Sequence, residues 1–222
     1  MFGNPSFRQG ARDAAVILIP VAAFGAAYGV LAVDAGFSPL LAVFSSVAIV
    51  SGAAQFAMVG LFAFGPIPVL VAITGLGLRH LPMSAKLADM IGPQPLGTRL
   101  RLAWVLVDET FGLTVRAAYS GVEDIVAYKS AADMMLYSTW VVSTSAAAWF
   151  GGSIDPEVVG IGVLFPLLFL GLAAPMLHAR RDWIVAGTSV AATLVATMTL
   201  PPAWQITAAA AVASLVGVFL HE

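Results

Sequence analysis

Long uncharged stretches follow one another along the chain and predict membrane-spanning helices. A helix that crosses a bilayer needs about 20 predominantly apolar residues. Five stretches lack Asp, Glu, Lys and Arg altogether: residues 14–33, 35–78, 134–154, 158–177 and 183–220. A sixth apolar stretch, 102–119, is interrupted by Asp108, Glu109 and Arg116, and Pro201-Pro202 divides the last one. The pattern predicts an all-α polytopic membrane protein with about seven transmembrane helices, in a range of about six to eight.

The stretch 35–78 is too long for one simple helix. Near its middle, Ser51 precedes small residues and a buried amide, in the order Gly52, Ala53, Ala54, Gln55 and Phe56. Inside a membrane, backbone departs from a helix only where it faces protein or a water-filled cavity. We therefore predict a broken or re-entrant helix at Gly52 and a candidate substrate-binding site formed by residues 52–56. The alternative for Gln55 is an amide that only joins two helices.

Composition agrees with this class and leaves room for one domain. The 222 residues are 60% hydrophobic and 10% charged, whereas ordinary soluble domains have about 25% charged residues. We predict a single integral membrane domain over residues 1–222. The net charge of −2 gives no argument for nucleic acid. With no Cys, three His and no H-E-x-x-H, G-x-S-x-G or Walker motif, the sequence predicts neither an enzyme nor a cofactor or metal site.

Basic residues predict which segments face the cytoplasm. Lys and Arg concentrate in residues 1–13, 79–101 and 178–182, whereas 155–157 carries acidic charges alone. By the positive-inside rule, the basic segments are cytoplasmic. Stretch 35–78 must then cross the membrane an odd number of times, which one crossing plus a half-helix satisfies. The same rule requires an odd number of crossings between residues 102 and 154, where the sequence offers two candidates.

A weak internal repeat accompanies this topology. Ile17-Leu18-Ile19-Pro20 is followed by Gly25, and Val163-Leu164-Phe165-Pro166 is followed by Gly171. The charges orient the two spans in opposite directions, as in the inverted repeats of secondary transporters, whose sites lie at the repeat interface. Because Pro and Gly are frequent in membrane helices, chance similarity is the alternative.

Asp108 and Glu109 are the only acidic residues that the sequence places well inside a predicted span. An ionisable group at that depth is costly and normally faces the bundle interior, so the pair is a candidate for proton coupling. The alternative is an ion pair that only fixes helix packing. Arg79 and His80 end the long uncharged stretch, where they form either a proton-sensitive gate or an interfacial cap.

Four motifs together resemble the AzlC family, the large subunits of two-component branched-chain amino acid exporters. They are Pro20-x4-Gly25, Gly52-Ala53-Ala54-Gln55-Phe56, Leu78-Arg79-His80-Leu81 and Asp108-Glu109-Thr110-Phe111, in the family's order and spacing. The family pattern has Asn two residues before the Arg and Thr before the Asp, whereas Gly77 and Val107 stand here. The resemblance adds Phe111 to the candidate substrate-binding residues.

The resemblance implies export of branched-chain amino acids across a bacterial cytoplasmic (inner) membrane. It also implies proton antiport with alternating access, and a small membrane partner of the AzlD type. Two other classes stay open on the residues alone. A channel or facilitator for a small solute would need no titrating carboxylate, and a membrane scaffold would use its buried charges only to hold a partner.

Overall fold

A computed structural model describes residues 3–151, 170 and 177–220, and within these residues the chain is helical without strands. The bounds of the first five helices are α1 Pro5–Ala15, α2 Leu18–Asp34, α3 Pro39–Ala48, α4 Gly52–Leu61 and α5 Pro66–Gly77, with a 3-10 turn at Phe62–Phe64. Those of the others are α6 His80–Ile91, α7 Leu96–Trp104, α8 Asp108–Tyr119, α9 Ile125–Phe150, α10 Arg180–Thr199 and α11 Pro202–Phe219. The predicted all-α membrane class is confirmed.

The chain divides into two units. The first comprises residues 1–55 and 77–153, and the second comprises residues 56–76 and 154–222. Helix α4 passes from the first unit to the second after Gln55. Within the second unit, α10 packs against α11 after the predicted interruption at Pro201.

Helix α9 is the centre of the first unit, where α1, α2, α3 and α8 pack against it. Its 26 residues extend about 39 Å at the rise of an α-helix. Glycines bring the neighbouring backbones very close to it. A Cβ atom at Gly29 would lie 2.6 Å from the carbonyl oxygen of Thr144, and one at Gly25 would collide with the hydroxyl of Ser143. Small residues at these positions therefore allow direct contact between helix backbones.

The predicted break before Gly52 is confirmed. Helix α3 ends at Ala48, Ile49 is extended with φ −111° and ψ 94°, and α4 begins at Gly52. The hydroxyl of Ser51 accepts a hydrogen bond from the backbone N–H of Ala54 at 3.5 Å, as an N-terminal cap does. The uncharged stretch 35–78 thus contains three helices rather than one.

A second break divides the stretch 102–119, where the sequence led us to expect one interrupted span. Helix α7 ends at Trp104, Val107 is extended with φ −122° and ψ 156°, and Asp108 starts α8. Two β-branched residues, Val105 and Val107, occupy the connection and favour extended backbone. Acidic residues are stabilising in a first helical turn. The expectation of one helix over this stretch is therefore wrong.

Two contacts join the connection between α8 and α9 to the segments 1–13 and 79–101, which the sequence predicts to be cytoplasmic. The side-chain amide of Asn4 donates to Asp124 at 2.8 Å, just before α9. The ammonium group of Lys86 on α6 lies 5.9 Å from the ring centroid of Tyr119, at the end of α8. The connection between α8 and α9 therefore lies at the same end of the first unit as Asn4 and Lys86, and the number of crossings between residues 102 and 154 stays a prediction.

The number of transmembrane helices stays a prediction. Among the described residues, the helical run Pro66–Ile91 and α10 are long and apolar enough to span a membrane. The pair α1 and α2, bent by 61°, is a third candidate if it is counted as one span. The predicted span 158–177 falls almost wholly outside the described residues. So does the second half of the predicted repeat, at 163–166 and 171, and the inverted repeat therefore also stays a prediction.

Candidate functional site

The two helix breaks meet beside the middle of α9. Val107 and Leu136 are buried in one apolar cluster with Val21 of α2, and Val50 and Trp140 pack against it. Val50 belongs to the α3–α4 break and Val107 to the α7–α8 break, while Leu136 and Trp140 are central residues of α9. The cluster therefore places the starts of α4 and α8 at about half the length of α9.

Arg79 links the two breaks by its guanidinium group. Its Nη1 lies 2.7 Å from the Oδ2 of Asp108, the first residue of α8. Its Nη2 donates to the hydroxyl of Ser51, which precedes α4, at 3.3 Å. The side chains of Arg79 and Asp108 are 38% and 51% exposed. The Nε of Arg79 is buried and has no hydrogen-bond partner among the described residues.

Gln55 lies one helical turn after Ser51 and is completely buried. Its amide Nε2 donates to the hydroxyl of Ser46 at 2.9 Å, and that hydroxyl donates to the hydroxyl of Thr144 at 3.2 Å. Thr144 in turn donates to the backbone carbonyl of Gly25 at 3.0 Å. The carbonyl oxygen Oε1 of Gln55 has no hydrogen-bond partner in the part of the chain that the structure describes. A buried acceptor of this kind is unfavourable unless something donates to it.

Two stacked aromatic side chains lie beside this amide. The rings of Tyr28 and Trp140 stack with their centroids 6.3 Å apart and an interplanar angle of 23°. The hydroxyls of Tyr28 and Ser45 are hydrogen-bonded at 2.6 Å, which fixes the tyrosine ring from its far end. A Cβ atom at Gly52 would lie 3.0 Å from the edge of the Trp140 ring. The first residue of α4 therefore touches an apolar surface that continues to Tyr28.

The structure brings together the break at Gly52 and the charged residues that the sequence singled out separately. Gly52 and Ala54 form the first turn of α4, Gln55 points into the hydroxyl cluster, and Arg79 is paired with Asp108. The sequence motifs lie far apart along the chain, and the Arg79 guanidinium connects two of them directly.

The other candidate residues differ in their surroundings. Phe111 packs against a separate apolar cluster built around Leu102. Glu109 is exposed in the first turn of α8, and Ala53 is half-buried in α4. The Nδ1 of His80 is hydrogen-bonded locally, to the carbonyl of Gly77 at 3.0 Å. Phe56 is buried, and it begins the part of α4 that belongs to the second unit.

The sequence did not reveal a buried ion pair on α9. Lys129 is completely buried, and its Nζ lies 2.7 and 2.9 Å from the two carboxylate oxygens of Asp133, which is 5% exposed. The same Nζ lies 3.4 Å from the carbonyl of Val105 in the α7–α8 break and 3.4 Å from the hydroxyl of Thr110. Asp133 is therefore a more deeply buried acid than Asp108, and the sequence analysis did not single it out. The i, i+4 spacing of Lys129 and Asp133 was the available signal.

Comparisons with known proteins agree with the motifs. Residues 16–154 match the family model described as AzlC protein, a segment that includes both helix breaks. The chain is 26% identical over 198 residues to the inner membrane protein YgaZ of Escherichia coli strain K12, a match that covers 86% of this chain and 81% of that protein. It is 28% identical over 182 residues to an uncharacterized membrane protein of Archaeoglobus fulgidus, with 79% and 78% covered. No solved structure matches.

Proposed function

Because the chain belongs to the AzlC family, we propose that it is the large subunit of a secondary transporter that exports branched-chain amino acids from the cell. The predicted location is the bacterial inner membrane, as a multi-pass protein. Both relatives are membrane proteins by name, and the Escherichia coli protein is an inner membrane protein. This family membership supports transport rather than enzymatic chemistry.

The observation that carries the proposal is the meeting of two helix breaks beside the middle of α9. Secondary transporters commonly place their sites near the bilayer midplane, at discontinuous helices whose N-termini face anionic groups of the substrate. Here α4 begins after Ser51 and α8 begins at Asp108, and Arg79 contacts both. The half-exposed ion pair supports the same interpretation, since charges at such depth face protein or water rather than lipid.

The surroundings of Gln55 favour a neutral apolar amino acid. The positive charge of Arg79 and the negative charge of Asp108 cancel, so the paired charges leave no surplus for a charged substrate side chain. The free carbonyl oxygen of Gln55 offers an acceptor, and the stacked rings of Tyr28 and Trp140 offer apolar surface. We assign residues 52–56 to substrate binding on this basis. Phe111 has only the resemblance in its favour.

Export against a gradient needs a driving ion. A zwitterionic substrate carries no net charge, so uphill export must draw free energy from something that binds differently in the two facing states. We assign proton coupling to Asp108, with Glu109 in a secondary role, and the gate to Arg79 and His80. The contact of Arg79 with both breaks supports its part in the gate.

A small AzlD-like membrane subunit completes the proposal. Gly25 and Gly29, small residues of the kind that pack helices together, already contact α9 within the chain and so offer no surface to this partner. The family resemblance alone now supports this partner. Full transport by this chain reconstituted without a second protein would contradict an obligatory subunit.

Reconstituted vesicles test the transport proposal. Vesicles containing the protein, with and without a co-expressed small subunit, are loaded with labelled leucine, valine or isoleucine, and a pH gradient is imposed. Uphill movement that collapses when the gradient is dissipated supports proton antiport. Flux that only follows the amino acid gradient would favour the channel or facilitator, and absence of any amino acid flux with both subunits would favour a scaffold.

A further inference from the structure

We infer that Arg79 and Asp108 bind the two charged groups of a zwitterionic amino acid, and that its ammonium group competes with a proton for the carboxylate of Asp108. This inference rests on the proposed function and specifies how its substrate is recognised. The carboxylate of the substrate would pair with Arg79, and its ammonium group would pair with Asp108.

Arg79 has capacity for a second anion. A guanidinium group carries five N–H donors and binds carboxylates in a bidentate manner. In the structure, Nη1 contacts Asp108 and Nη2 contacts Ser51, while Nε is buried without a partner among the described residues. An incoming carboxylate can therefore take up this orphaned donor. The nearby first turn of α4 adds a partial positive charge that favours the same anion.

Gln55 supplies an independent sign of a ligand. It is completely buried, and its carbonyl oxygen has no hydrogen-bond partner among the described residues. The side chain follows Ser51 by one helical turn, and Ser51 is itself bonded to Arg79. An ammonium group has three donors, so it can satisfy the Gln55 oxygen as well as Asp108. The site therefore offers a donor for the carboxylate of an amino acid and two acceptors for its ammonium group.

The Arg79–Asp108 pair is suited to exchange its partners, unlike Lys129–Asp133. Exposed ion pairs contribute little to stability, and Arg79 and Asp108 are 38% and 51% exposed. The Lys129 side chain is fully buried and already bonded to both Asp133 oxygens, so opening that pair would leave two buried charges. A substrate can therefore separate Arg79 from Asp108 more easily than Lys129 from Asp133.

Competition at Asp108 would produce antiport. A protonated carboxyl loses its charge and its attraction for the ammonium group, so the site holds either a proton or an amino acid. The ionisable and charged groups around this carboxylate come from its own helix and from the elements that form the two breaks. Arg79 lies 2.7 Å from it and Glu109 is its neighbour in the first turn of α8. On α9, Lys129 and its partner Asp133 lie at Thr110, two residues further along α8, and the charge of Arg101 on α7 acts on that pair. The ring of His80, next to Arg79, is bonded to the Gly77 carbonyl.

Binding of three probes to the purified protein tests the inference. The probes are L-leucine, 4-methylpentanoate, which lacks the ammonium group, and 3-methylbutylamine, which lacks the carboxylate. Each lost charged contact should weaken binding about tenfold or more relative to leucine. Leucine affinity should fall as the pH is lowered, because protons then occupy Asp108.

Two variants distinguish ligand contacts from a structural role. Asp108→Asn should lose about tenfold or more in leucine affinity together with its pH dependence, yet keep its affinity for 4-methylpentanoate. Arg79→Met should lose affinity for leucine and 4-methylpentanoate alike. Asp34→Asn, an exposed acid at the end of α2, is the matched control and should behave as wild type.

The outcomes separate this inference from the proposed function. Wild-type leucine affinity and pH dependence in both Asp108→Asn and Arg79→Met would overturn the inference alone. So would binding of both analogues as tightly as leucine. Absence of leucine binding and of leucine efflux in the wild-type protein with its small subunit would overturn the proposed function, and this inference with it.

Discussion

Replacing Lys129 with Met should strongly destabilise the first unit. The substitution removes an ammonium group that lies 2.7 and 2.9 Å from the oxygens of Asp133 and leaves a carboxylate that is only 5% exposed. Breaking a buried pair in this way typically costs about 3–5 kcal/mol. The contacts of Lys129 with Val105 and Thr110 are longer, both at 3.4 Å, and we expect them to add less.

A double-mutant cycle measures this effect directly. The free energy of unfolding is determined in mixed micelles for Lys129→Met, Asp133→Leu and the double variant. Because the double variant leaves no buried charge at the pair, it should recover most of the loss, so the two substitutions should be strongly non-additive. Lys86→Met is the matched control, since Lys86 is exposed on α6 and should change stability by less than about 1 kcal/mol.

Two results would refute this reasoning. Either single variant costing less than about 1 kcal/mol would be typical of a solvent-exposed pair and would contradict the burial of Lys129 and Asp133. A double variant as unstable as the worse single variant would show that uncompensated charge is not the cause. A separate measurement, leucine efflux by the refolded double variant, tests the role of the pair in transport. Efflux at the wild-type rate would show that the pair has a structural role alone.

Three further predictions concern topology, coupling and helix packing. Single cysteines at Lys86 and Arg180 should react only from the cytoplasmic side, because both positions lie in basic segments. The chain has no native Cys that would react as well, and labelling of either position from outside intact cells would contradict the topology. Asp108→Asn should abolish proton-driven leucine efflux without lowering the protein level, and normal pH-driven efflux by this variant would refute the coupling assignment. Gly29→Val should lower the accumulation of folded protein, because its Cβ would lie 2.6 Å from the Thr144 carbonyl oxygen; unchanged thermal stability would contradict that contact.

The break at Gly52 was predictable because several local signals coincide there. An uncharged stretch too long for one helix, a glycine and a nearby amide all indicate interrupted backbone. The break before Asp108 was not predicted, although β-branched residues at 105 and 107 and an acidic pair form its local signal. Average hydropathy hides such a break, since extended valines contribute as much as helical ones.

Burial of Lys129 and Asp133 could not be read from charge counts. Hydropathy treats each charge separately, so a segment with several charges appears to be a surface loop. The pair is neutral when its members meet one turn apart, and Val105 and Thr110 supply further polar contacts from the α7–α8 break. Its burial depends on tertiary contacts between elements far apart in the chain. The link between Ser51, Arg79 and Asp108 depends on folding in the same way.

The contacts of Gly25 and Gly29 with α9 also restrict the movement of α2 relative to α9. Where a glycine lets one helix lie directly against its neighbour, sliding or rotation of either helix brings their atoms into collision. Helix α2 lies this close to α9 at Gly25, against Ser143, and at Gly29, against the carbonyl of Thr144, so we expect the two helices to move together. In the proposed transport cycle, we therefore expect the motion that exposes the site to each side in turn to come from the start of α4 and from α8, with the extended residues Ile49 and Val107 before them as hinges. A chemical cross-link between α2 and α9 should therefore leave the transport cycle running, whereas one that ties α8 to α9 should stop it.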